Sequence, residues 1–336
     1  MHRRSWTYLL PCVGFLVLIL DAKTALQGAA EGIELCIKTV IPALFPFFML
    51  SILLTSALIG HRNRIFAPIG ALCGMPKGSE SLLLVGLLGG YPTGAQAVNN
   101  AYTSGQISKE DGQRLLAFCS NAGPSFIFGM LSIMFPSAIY AWAIWVIHVL
   151  SAVLVGALLP GKSKNNTKMA RAKPIMIPAA LERSIKIMAS VCAWVVLFRV
   201  IIAFAQRWFL WLLPGVTQTI FIGILELSNG CCALSSIPDI GLRFVVCSGL
   251  LTLGGFCVTM QTVSVTKELG MGMYFPGKAL QCLISLALSS VFALILGVNS
   301  SFTLTIPAFS CLLLGIFLLL FQKNRKKSRN PLAVGV

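Results

Sequence analysis

Charge is scarce in this chain. Charged residues make up 11% of its 336 positions, and only 10 are acids. A soluble domain carries about 25% charged residues, and a soluble fold of this size could not clothe its surface with so few. The missing charge is replaced by apolar runs: 57% of residues are hydrophobic and the mean hydropathy is +0.86. The runs are about long enough to cross a hydrocarbon core of ~30 Å. The chain therefore reads as a polytopic membrane protein.

Chemical signatures are missing as well. None of the 11 cysteines belongs to a spaced pair of the zinc or redox type, and Cys231 and Cys232 are merely adjacent. Within apolar runs a free cysteine acts as a small hydrophobe, so no metal is expected. There is no Walker loop, dinucleotide fingerprint or nucleophile–base constellation. ATP-driven transport and enzymatic activity are disfavoured, and no cofactor is expected. Coupling to H+ or Na+ stays open.

Basic residues are the one charge in excess: 26 Lys and Arg give a net charge of +16. They cluster at the edges of apolar runs, which is the positive-inside pattern rather than a nucleic-acid surface. His2–Arg4, Arg62 and Arg64, the loop with Lys162, Lys164, Lys168, Arg171 and Lys173, and the tail from Lys323 to Arg329 are expected in the cytoplasm. Both termini are then cytoplasmic, in the cell membrane. Lys267 and Lys278 are also read as cytoplasmic.

Ten apolar segments can be drawn: Trp6–Leu20, Ile33–Ile59, Leu82–Asn99, Gln113–Met130, Met134–Leu159, Leu181–Phe204, Thr219–Leu234, Leu242–Val265, Lys278–Leu296 and Phe302–Phe321. Three of them lie between the inside positions Arg64 and Lys162, where an even number of crossings is needed. One must enter and leave on the same side, and the second half repeats the problem. Non-helical backbone at membrane depth survives only when buried in protein or lining a cavity. The expected fold is all-α, with about eight transmembrane helices and two re-entrant or broken hairpins.

The halves resemble each other. Glu34…Lys38 opens one and Glu182…Lys186 the other; Gly86–Gly94 and Gly223–Gly230 follow, then Arg114…Cys119-Ser120 and Arg243…Cys247-Ser248. Their orientations are opposed, giving an inverted-topology repeat, the plan of many secondary transporters. The expected organisation is an N-terminal transmembrane helix over 1–30, a first repeat over 31–160 and a basic cytoplasmic loop over 161–180. A second repeat follows over 181–297, then a transmembrane helix over 298–322 and a basic tail over 323–336.

Four polar patches interrupt the apolar segments. Around Gly89-Gly90-Tyr91-Pro92-Thr93-Gly94, glycine and proline break the helix and bare its N–H groups to an anion. Ser120, Asn121 and Ser125 flank Gly123-Pro124. Glu226, with Ser228 and Asn229, is the one acid deep in an apolar segment, where a carboxylate marks a pathway or proton relay; a structural ion pair with Arg199 is the plainer alternative. Thr259, Gln261 and Thr262 follow Gly254-Gly255. Each patch could instead be a kink or helix–helix glue. Lys38, Arg114, Lys186, Arg199 and Arg243 are anion-pairing candidates if they converge, and snorkelling residues if they do not. His148 is expected to pack rather than titrate.

Gly89-Gly-Tyr-Pro-Thr-Gly-Ala95, Leu115-Leu-Ala-Phe-Cys-Ser-Asn-Ala-Gly-Pro124, Gly223-Ile-Leu-Glu-Leu-Ser-Asn-Gly230, Phe45-Pro-Phe-Phe48 and Ile107-Ser-Lys-Glu110 resemble the family of the sporulation integral membrane protein YlbJ. The resemblance runs from about Ile33 to Leu296. It implies a gate-type or nucleoside-recognition domain and a role in moving dipicolinic acid towards the forespore, across the mother-cell-derived membrane. More distantly, the segments are similar to concentrative nucleoside transporters. The chain departs from those at Val258, Met260 and Gln261. The expected function is secondary transport of a small organic anion; a nucleoside or nucleobase carrier and a non-transporting member of a sporulation complex are the alternatives. Lipid and the solute are the expected partners, nucleic acid is not, and a homo-oligomer stays open.

Overall fold

The computed structural model describes residues 6–59, 66–159, 161 and 174–298. The basic clusters around residues 2–4, 62–64, 162–173 and 323–329, and the expected final transmembrane helix, lie outside these. The described residues form helices and connecting turns, with no strand. The chain is a polytopic membrane protein. Six helices are long and apolar enough to cross a membrane, and Pro11–Leu20, Glu80–Gly89 and Gly215–Leu225 are shorter apolar helices.

A short helix, α1 (Trp6–Leu20), leads into the 37-residue α2 (Ala22–Leu58), which loosens into a π turn at Cys36–Val40 ahead of Pro42 and Pro46. After α3 (Ala67–Leu72) come α4 (Glu80–Gly89) and α5 (Thr93–Thr103), then α6 (Lys109–Cys119). The chain breaks at Ser120–Gly123 and resumes at α7 (Pro124–Phe126), followed by α8 (Ala138–Leu158). The second half repeats this order: α9 (Ile177–Trp208), a pair α10 (Gly215–Leu225) and α11 (Leu227–Leu234), α12 (Ile240–Leu253) broken at Gly254 from α13 (Gly255–Val265), and α14 (Tyr274–Ile295). Each half holds three of the six long spans and one short broken pair. The helices that head the two halves, α2 and α9, begin at Ala22 and Ile177.

Each short pair doubles back on itself at glycines. A Cβ on Gly94 would fall 2.7 Å from the Gly86 Cα, and one on Gly230 would fall 2.7 Å from the Gly223 nitrogen. The four glycines let two helix backbones touch, as small residues do in membrane helix packing. The apolar segments expected over Leu82–Asn99 and Thr219–Leu234 are therefore hairpins.

The equivalent helices α2 and α9 run antiparallel, which makes the halves inverted. Asp21 pairs with Arg207 at 2.8 Å, Glu31 with Arg199, and the Cys36 thiol with the Cys192 carbonyl at 3.8 Å. Between these contacts Gly28 packs on Ala203 and Gly32 on Val196, each with a Cβ position 2.9 Å from its neighbour. Outward faces are apolar: Ile139, Trp142, Val146, Leu150, Leu154 and Leu158 form one exposed stripe of α8, opposite the buried Ile144, Ile147 and Ser151. In lipid such a stripe is the solvated face.

Candidate functional site

The breaks of the two halves meet inside the bundle. Gly90 turns at φ +71 and Gly254 and Gly255 at +73 and +75, conformations open to glycine. A Cβ on Gly90 would sit 2.9 Å from the Gly123 nitrogen, so the hairpin turn lies directly on the break after α6. On the other side Gly255 lies on the hairpin of its own half, its Cβ position 2.9 Å from the Gly223 carbonyl oxygen. Tyr91 bridges the halves: its ring covers Gly254, and its Oη donates to the Leu251 carbonyl at 3.5 Å.

Glu226 fills the second hairpin's turn. Its extended backbone ends α10 and starts α11. One carboxylate oxygen accepts from the Ser228 N–H at 3.0 Å; the other accepts from the Asn229 N–H and side-chain amide, both at 2.7 Å. These are the donors that a helix start leaves bare. Glu226 is 2% exposed and acts as a cap; Arg199, the partner considered from sequence, is bound to Glu31 and Gln206 instead.

The first break is held by a residue that the sequence places wrongly. Lys278, read as cytoplasmic, is 3% exposed in α14. Its ammonium donates to the Ser120 carbonyl, to Gln281 Oε1 at 2.7 Å, and to Asn121 Oδ1 and Tyr91 Oη at 3.5 Å each. The Tyr91 ring centre lies 5.4 Å away. Gln281 also donates to Asn121 Oδ1 at 3.0 Å, and Asn121 donates to the Phe118 carbonyl at 2.7 Å. From α8, His148 Nε2 accepts the Ala122 N–H at 3.1 Å. His148 thus packs, as expected, and holds the broken backbone while doing so.

The five cations named from sequence do not converge. Lys38 and Lys186 make exposed i,i+4 pairs with Glu34 and Glu182, each at 2.6 Å. Arg199 pairs with Glu31 on the α2–α9 seam. Arg114 is buried against the carbonyls of Cys73, Gly74 and Gly156, and Arg243 holds those of Met134 and Ile237. Both arginines tie down chain ends whose carbonyls lack helical partners. Thr259 and Thr262 also turn inward to their own helix, donating to the Gly255 and Val258 carbonyls at 2.9 Å each.

Two cavities follow one another along the α2–α9 groove. The wider, about 590 Å³, is lined by Ile52, Thr55 and Ser56 of α2 and Arg183, Lys186 and Ile187 of α9, with Thr93, Gln96 and Asn100 of α5 opposite. The narrower, about 40 Å³, continues along Leu44 and Phe48 of α2 and Val191 and Val195 of α9. Its other walls are the breaks: Gly90, Tyr91, Gly123, Ser125, Glu226, Ser228 and Gln261. Of the expected residues, Gly90, Tyr91, Ser125, Glu226, Ser228 and Gln261 line the narrower cavity, and Thr93 and Lys186 the wider one. The structure leaves Ser120 and Asn121 with Lys278, keeps Asn229 on Glu226, and buries Gly94 in the hairpin crossing.

No family model matches the chain, and no solved structure matches it. The chain is similar to the sporulation integral membrane protein YlbJ of Bacillus subtilis (strain 168), at 25% identity over 166 residues, 48% of this chain. The match spans 41% of that relative's length, less than half of it.

Proposed function

We propose that this chain is a secondary transporter of a small organic anion, a carrier and not an enzyme. One observation carries the reading. A cavity edged by Arg183 and Lys186 and a narrower cavity further along the same groove are both walled by α2 and α9, and in the narrower one broken backbone from two inverted halves meets. Irregular backbone within a membrane bundle persists where it lines a pathway, and inverted repeats place solute sites at such breaks. The wider cavity falls in the range of ~300–1,000 Å³ usual for small-molecule sites. Two cations on its wall, and the α5 N-terminus at Thr93 with no side-chain cap, suit a carboxylate.

Dipicolinate, a planar dicarboxylate, is the leading cargo, in keeping with the relative's place in sporulation. Gly90, Tyr91, Ser125, Ser228 and Gln261 would meet it at the inner end of the track, and Thr93 with Lys186 at the outer. The protein would act in the cell membrane, or in the mother-cell-derived membrane around the forespore. A nucleoside is the second reading, favoured by the side-chain amides of Gln96 and Asn100 on the same wall.

The test is uptake by purified protein in liposomes. Dipicolinate uptake is expected to saturate, to resist excess uridine, and to fall about tenfold or more in Arg183→Gln. Uridine uptake without dipicolinate uptake would move the assignment to a nucleoside carrier. Folded protein that moves neither solute would end the transport reading and leave a role in assembling a sporulation complex.

A further inference from the structure

Lys278 carries its amino group into the interior of the bundle, and no acid among the described residues pairs with it. Every ion pair among those residues involves other cations: Lys38, Lys186, Arg199 and Arg207. Its neighbours are neutral oxygens instead. The Ser120 carbonyl lies just past the C-terminus of α6, where the helix dipole is negative. Gln281 Oε1, Asn121 Oδ1 and Tyr91 Oη complete the set, contributed by the break, the hairpin turn and α14 itself. The rings of Tyr91 and Tyr274 flank the charge, at 5.4 and 6.0 Å. The titratable groups facing it are Tyr91 from the first hairpin, Cys119 from α6, His148 from α8 and Tyr274 from α14, none of them a carboxylate.

Unwound carbonyls and side-chain oxygens at a helix C-terminus are what transporters offer to a free monovalent cation. Here two of the oxygen-bearing side chains are also tied independently of the lysine: Gln281 donates to Asn121 Oδ1, and Asn121 donates to the Phe118 carbonyl. We infer that this cage is a monovalent-cation site permanently filled by the protein's own lysine. The Lys278 ammonium takes the place that a free sodium ion would otherwise occupy, and closure of the first break needs no added cation. This goes beyond the transport reading and does not depend on it.

The experiment is thermal unfolding of purified wild type, Lys278→Ala and Lys278→Met at constant ionic strength, with N-methylglucamine, sodium or methylammonium as the cation. Wild type is expected to melt at one temperature in all three. Lys278→Ala vacates the cage, and its melting temperature is expected to rise by about 3–5 °C with saturating sodium or methylammonium over N-methylglucamine. Lys278→Met fills the space without charge and should not respond. A sodium dependence of wild type would overturn the inference, and that arm stands even if neither variant folds. Lys278→Ala that folds but responds to neither cation would overturn it too, as would an equal response in Lys278→Met. Absence of solute flux would bear on the transporter reading alone, since none of these arms measures flux.

Discussion

The first hairpin turns through Gly90-Tyr91-Pro92 and the second through Glu226, and the two settle their exposed backbone by opposite means. At the second, a carboxylate from the turn itself covers the amides of Ser228 and Asn229. At the first, no side chain caps α5. The broken helix that follows each hairpin differs in the same way. The end of α6 is satisfied by Lys278 from the other half, and the end of α12 by the Tyr91 hydroxyl from the other half. Each half thus supplies the group that closes its partner's break. A symmetric plan has become a cross-braced one, with a helix N-terminus that no side chain caps left on the side of the wide cavity.

That comparison can be broken in four ways, from the largest expected effect to the smallest. Gly94→Leu and Gly230→Leu should each abolish folding, because the added side chain must enter another backbone; a cost above about 4 kcal/mol is expected from such overpacking. Yield of monodisperse protein on size exclusion reads this, and tolerance at one glycine alone would show that the hairpins are not equivalent. Glu226→Ala strands one buried and one half-buried N–H group and should cost about 2–3 kcal/mol in denaturant or thermal unfolding. Its first-half counterpart Thr93→Ala should stay within about 0.5 kcal/mol, since no cap is lost there. Equal losses would refute the asymmetry. Tyr91→Phe removes the hydroxyl that braces Leu251 and should cost about 1 kcal/mol. Glu34→Gln, which touches only an exposed pair, should leave the melting temperature unchanged.

Much of this architecture was legible because glycine and proline have few other uses within an apolar run. The breaks at Gly90–Pro92, Ser120–Gly123 and Gly254 all fall where those residues cluster. The opposed sense of the halves followed from basic residues at segment ends and is borne out by the antiparallel α2 and α9. Lys278 was not legible. A lysine at the start of an apolar segment looks like a boundary, and its oxygen partners lie 157 to 187 residues away in sequence, apart from Gln281. Arg114 and Arg243 failed similarly, since a carbonyl at a distant helix end carries no side-chain signature. Glu226 carries a readable sign of its role: an acid two and three residues ahead of Ser228 and Asn229 at a helix start is a capping pattern. Gln281 had a signal too: it falls three residues after Lys278 and four before Ser285, a polar spacing on one face of an apolar helix.

The seam between α2 and α9 has a mechanical consequence. Gly28 and Gly32 bring the two backbones together near one end, with the Asp21–Arg207 pair beside them. Near the other end the same helices wall the wide cavity, where the Ile175 N–H donates to Ser56 Oγ at 3.2 Å. From Gly32 to Leu58 is a lever of about 40 Å at 1.5 Å per residue. Turned by about 5° at its glycine fulcrum, the far end would travel roughly 3 Å, enough to separate a hydrogen-bonded pair. The π turn at Cys36–Val40 sits just beyond the fulcrum, where a small flex gains the greatest leverage.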